Sequence, residues 1–109
     1  MANKIVYNKL VRDRIPEIIE STGKTYELHV ADKNEYVAKL HEKLSEESKE
    51  FLETPNVEEM ADILEVIDTL IDFYDLDREL IKQYKENKNS NRGSFKEKYI
   101  LDYVVETDE

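Results

Sequence analysis

Apolar residues recur at three- and four-residue intervals through the middle of this chain, and that spacing predicts two long amphipathic helices. The first runs from about Glu35 to Glu53 on the stripe Tyr36, Val37, Leu40, Leu44 and Phe51. Asp32 followed by Glu35 has the spacing of a capping box and opens it, and Thr54-Pro55-Asn56 breaks it. The second runs from about Val57 to Tyr74 on Met60, Ile63, Leu64, Val66, Ile67, Leu70, Phe73 and Tyr74. After a break at Asp75–Asp77 a third helix reaches about Lys88, and Asn89-Ser90-Asn91-Arg92-Gly93 reads as a loop. Upstream, Asp13 and Pro16 suit the first turn of a short helix to about Ser21, with Gly23 as its stop. Alternation at Tyr26, Leu28 and Val30, and again at Phe95, Tyr99, Leu101, Tyr103 and Val105, predicts two strands that pair as a small sheet. The expected fold is mainly α: a single domain over residues 1–109, a helical bundle completed by oligomerisation, with a small two-strand β addition.

The informative positions are those that interrupt the apolar stripes. A helix turns about 100° per residue. On that count Glu47 fills the gap between Leu44 and Phe51, and Glu50 lies one turn on at the stripe's edge. Glu46 and Glu53 point to the polar side. On the next helix Glu59 falls between the directions of Val66 and Leu70, and Asp62 sits at the edge near Phe73. Glu65, Asp68 and Asp72 face the opposite way. Both helices thus carry an inward Glu followed three residues later by an edge acid, and residues at that spacing are neighbours. If the helices pack antiparallel across the short turn, four carboxylates converge. A buried carboxylate is unfavourable unless compensated, and hard oxygen donors in this number suit Mg²⁺ or Mn²⁺. A bundle di-iron site needs Glu-x-x-His, whereas here Ala38 precedes His41 and Tyr26 precedes His29 at that spacing. The alternative is a solvated acidic bundle, with Glu59 serving a cap on Asn56 and Glu46 pairing with Lys43 or Lys49.

Composition narrows the function. The 109 residues suffice for one compact domain. Charged and hydrophobic residues each make up 39%, so a lone monomer would have a thin core, and a homodimer or homotetramer is expected. The second long helix, apolar over more than half its circumference, is expected at the centre of that interface. The net charge of −10 argues against a nucleic-acid partner, which calls for a basic face. It leaves room for a nucleotide, because a bound cation offsets the repulsion. No apolar run approaches the roughly 20 residues that span a bilayer, so no membrane partner is expected. There is no cysteine for a disulfide framework or thiolate chemistry. The start, Met-Ala-Asn-Lys-Ile-Val-Tyr, lacks the apolar core of a signal peptide, so the cytoplasm is the expected location.

The run Glu46-Glu47-x-x-Glu50 followed by Glu59-x-x-Asp62 resembles the signature of the MazG-type nucleoside triphosphate pyrophosphohydrolases, relatives of phosphoribosyl-ATP pyrophosphatase. Glu65-x-x-Asp68 is an alternative second half that the helical phase disfavours. Tyr7-Asn8-Lys9-Leu10-Val11-Arg12-Asp13-Arg14-Ile15-Pro16 and the stretch from Lys88 to Phe95 extend the resemblance to a small MazG-like subgroup over nearly the whole chain, with Ser94 where that subgroup carries a second glycine. The resemblance implies an all-α bundle built by subunit association. It implies cleavage between the α and β phosphates of a nucleoside triphosphate, giving a monophosphate and pyrophosphate, in several members on noncanonical nucleotides. It implies Glu47, Glu50, Glu59 and Asp62 as metal ligands, with Glu46, Glu47 and Glu50 catalytic and Glu46 orienting or deprotonating the attacking water. Lys9, Arg12, Lys88 and Arg92, in the two flanking motifs, are candidates for phosphate oxygens. Two other classes stay open: a non-catalytic acidic interaction module, and a protein that binds nucleotides without turnover.

Overall fold

A computed structural model describes residues 3–108. Four helices follow one another: α1 Ile15–Ser21, α2 Lys33–Glu53, α3 Val57–Phe73 and α4 Arg78–Arg92. The chain divides into two compact units, Met1–Asp75 and Leu76–Glu109.

In the first unit α2 and α3 form an antiparallel hairpin. Tyr36 near the start of α2 meets Phe73 at the end of α3, ring centroids 5.6 Å apart. His41 Nε2 and the Tyr74 hydroxyl lie 2.8 Å apart. The opposite ends of the two helices are joined by the turn at 54–56. Side chains set both helix starts. The Asp32 carboxylate accepts from the Glu35 amide at 2.8 Å, and the Asn56 side chain from the Glu59 amide at 2.8 Å. The Asp32 box is only half closed, because the Glu35 carboxylate turns to His29 Nε2 at 2.8 Å instead. Asn56→Ala is expected to cost about 1 kcal/mol, the usual worth of such a cap, and so to lower the melting temperature by about 4–8 °C. A thermal melt unchanged by the substitution would show that packing, not the cap, positions the start of α3.

The stripe between the helices packs as its spacing requires. Leu40 is almost completely buried and Val66 nearly so; these are the buried apolar side chains among the described residues. Tyr36, Val37, Leu44 and Phe51 are half-buried around them. The third buried side chain is Glu47. In the second unit α4 is capped by Asp77, which accepts from the Glu79 and Leu80 amides at 2.9 and 3.1 Å.

Two expectations are corrected. Among the described residues no strand forms: Tyr26–Val30 and Phe95–Val105 are neither helix nor ladder. Alternation creates a strand only where a neighbouring edge accepts its hydrogen bonds. Here Val30 and Phe95 are 90% and 99% exposed, with no packed face to fix them. The last helix also continues past Lys88 through Arg92, so Asn89–Asn91 form its final turn rather than a loop. Gly93, at φ 81°, ends it and donates its amide to Asn89 O at 3.0 Å. A positive φ of this kind favours glycine, which carries no Cβ penalty there. Among the described residues no helix is long and apolar enough to cross a membrane.

Candidate metal centre

The hairpin turn brings the last two turns of α2 beside the first two of α3, and there the acids meet. One oxygen from each of Glu47, Glu50 and Glu59 lies within 4.8 Å of the others. Glu47 is 7% exposed, because it occupies the stripe position between Leu44 and Phe51. Glu59 is half-buried, and Glu50, one turn on, is the most open of the three. The cap at Asn56 explains the Glu59 backbone amide but not its carboxylate. Glu59 Oε2 is buried with no hydrogen-bond partner, and so is Glu47 Oε2. Buried polar atoms are nearly always paired, so two unpartnered carboxylate oxygens on residues of one acidic cluster are what a positive charge placed there would satisfy.

The surrounding charges answer only part of this surplus. Lys43, one turn before Glu47, approaches Glu47 Oε1 at 3.5 Å and Glu46 Oε1 at 3.8 Å. Glu46 also receives Lys9 Nζ at 3.1 Å. Asp62 accepts from Arg12 Nη2 at 2.9 Å. The Glu47 carboxyl is pushed above the usual carboxylate range, first by burial. The Glu50 carboxyl adds to this by hydrogen bonding to the protonated form and by charge. Asp62 pushes the same way, and Lys43 opposes both. Charge repulsion in a dry site favours protonation in this way, and a bound cation would reverse it.

Glu47, Glu50 and Glu59 share one cluster. Asp62 stands close enough to act on Glu47 but is held by Arg12, and Glu46 lies on the rim between two lysines. Lys9 and Arg12 reach these acids rather than standing free. Lys88 and Arg92 lie one turn apart at the end of α4, exposed, in the second unit. Lys43 is the added participant at Glu47; its i,i+4 spacing to that residue is the signal for it. Lys39, which donates to Asn8 O at 2.9 Å across 31 positions, had no local signal.

A donor set of three or four carboxylates, without sulfur or imidazole, selects hard divalent cations over zinc or copper. Comparison of the chain with protein-family models, with curated proteins and with solved structures finds no match.

Proposed function

We propose that Glu47, Glu50, Glu59 and Asp62 hold Mg²⁺ or Mn²⁺, and that the chain is a MazG-like nucleoside triphosphate pyrophosphohydrolase. The observation that carries the metal is the pair of buried, unpartnered oxygens, Glu47 Oε2 and Glu59 Oε2, on two of the three residues whose carboxylates converge with Glu50. A solvated acidic bundle or interaction module accounts for exposed acids but not for these. The substrate and reaction rest on the resemblance of Glu46-Glu47-x-x-Glu50 and Glu59-x-x-Asp62 to the signature of that family.

The bound cation would offset the charge of a triphosphate and polarise the phosphate under attack. The chain's own residues supply the rest. Glu46, adjoining the cluster, orients the attacking water and draws off its proton. The water oxygen joins the α phosphorus as the bond from that phosphorus to the bridging oxygen breaks, releasing pyrophosphate and leaving a monophosphate. Lys9 and Arg12, already at the rim, offer cationic contacts to phosphate oxygens, and Lys88 and Arg92 are further candidates by sequence. The protein is proposed to work in the cytoplasm as a homodimer or homotetramer.

The deciding experiment is a panel of canonical and noncanonical nucleoside triphosphates with Mg²⁺, with products resolved by anion exchange. Monophosphate plus pyrophosphate is the expected pair. Diphosphate plus phosphate, or no turnover of any member by metal-loaded protein, overturns the reading.

A further inference from the structure

The segment ahead of α1 lies against both long helices. Lys9 Nζ reaches Glu46 on α2 at 3.1 Å, and three residues on Arg12 Nη2 reaches Asp62 on α3 at 2.9 Å. The Asn8 carbonyl between the arm's apolar start and Lys9 is pinned by Lys39 Nζ at 2.9 Å. Asn8 holds φ at 49°, a left-handed conformation that asparagine tolerates better than most residues. This arm therefore sets two monovalent cations beside a carboxylate cluster in which Glu47 and Glu59 each keep one buried oxygen unpartnered.

Neither cation is held firmly. The Arg12 side chain is 60% exposed and that of Asp62 33%. Exposed pairs of this kind contribute little, because water screens both charges. A divalent ion drawn in by the Glu47 and Glu59 oxygens carries twice the charge and repels a guanidinium seated on the next carboxylate. Arg12 is also the side chain best shaped to grip a phosphate, through paired N–H donors.

We propose that Arg12 and the divalent cation exchange at Asp62, so that loading of the cation frees Arg12 to take a phosphate oxygen of the substrate's triphosphate chain. This rests on the metal reading above. Arg12 then acts twice, as a stand-in counter-charge in the empty site and as an anion clamp in the loaded one. Metal and triphosphate bind with positive coupling, because the first removes the competitor that occupies the second's partner.

The two roles give one substitution opposite effects. In calorimetry on the full chain, Arg12→Gln is expected to bind Mn²⁺ alone about two- to fivefold tighter than wild type, the range of a lost exposed ion pair. At saturating Mg²⁺ the same variant is expected to bind magnesium tripolyphosphate roughly tenfold more weakly or worse, as for a lost hydrogen bond to a charged group. Arg14→Gln removes an equal charge, but Arg14 pairs with Glu17 at 3.1 Å, so this variant should match wild type in both titrations. Equal or weaker Mn²⁺ binding by Arg12→Gln overturns the exchange while leaving the metal site standing. So does equal tightening in Arg14→Gln, which would reveal a general charge effect. Absence of Mn²⁺ binding to wild type overturns the metal reading and the exchange together.

Discussion

Replacing Glu47 with Gln is expected to raise the melting temperature of the metal-free protein and to abolish the further rise that the proposed site is expected to give wild type in Mn²⁺. The metal-free effect follows from burial. Glu47 is 7% exposed, with one oxygen unpartnered and Lys43 only at 3.5 Å from the other. An unsatisfied buried group of this sort costs about 1–3 kcal/mol, and a neutral amide relieves part of it. A gain of about 1 kcal/mol corresponds to about 4–8 °C. The sign of the pH dependence is fixed by the same residue. Its folded-state pKa is raised, so its contribution to stability is fully present below the unfolded carboxylate value of about 4.3 and is lost as pH rises through the raised value. Metal-free wild type should therefore lose stability on going from mildly acidic to neutral pH more steeply than Glu47→Gln.

The metal effect has the opposite sign. A ligand that binds only the folded state adds about 2.7 kcal/mol at a concentration of roughly 100 times its Kd. Glu47→Gln removes one of the proposed donors, so this increment should vanish, and the proposed turnover with it. Glu65→Gln, on the exposed face of α3, is the control and should change neither melt. Thermal melts with and without Mn²⁺ across this pH range decide the matter. A variant that is destabilised without metal and still stabilised by it would mean that Glu47 is a structural acid paired through Lys43.

Local signals in the sequence reached the helices and the inward acids, and stopped at what depends on distant partners. The breaks at Asp32 and Asn56 were legible because a cap is a short-range bond between a side chain and an amide three residues on. The inward phase of Glu47 and Glu59 was legible because a 3-4 stripe leaves one direction for each residue. The Arg12 to Asp62 pair spans 50 positions, and nothing in either neighbourhood announces it. The two alternating segments misled for the same reason. Their period is a local property, whereas a ladder requires an edge supplied from elsewhere. At Asn89–Gly93 the polar composition argues for a loop, but the helix runs on through Arg92 and stops at Gly93, whose positive φ suits glycine.

On the proposed homodimer, Leu64→Lys is expected to leave a monomer at micromolar concentration. Besides the stripe that faces α2, α3 carries a second one at Val57, Met60, Leu64, Ile67 and Ile71. Its spacing alternates three and four, the seam of a helix that packs against another helix. Leu64 lies about 140° around α3 from Glu59, at 100° per residue, so this seam is separate from the metal cluster. Val57, Met60, Leu64 and Ile67 are 88%, 38%, 52% and 36% exposed. Covering such side chains contributes about 1.5–3 kcal/mol each when burial is complete. The seam also suits a second copy of the same helix. Leu64 is the middle of its five positions, so in an antiparallel pair about a two-fold axis Val57 runs beside Ile71 of the other copy, and Leu64 meets its own counterpart. A lysine at that point places two like charges face to face in the centre of the contact. Sedimentation equilibrium should show a dimer for wild type and a monomer for Leu64→Lys. Leu52→Lys, an exposed apolar position on α2 outside the seam, should stay dimeric. A wild-type monomer at micromolar concentration, or an intact Leu64→Lys dimer, would place the subunit contact elsewhere or remove it.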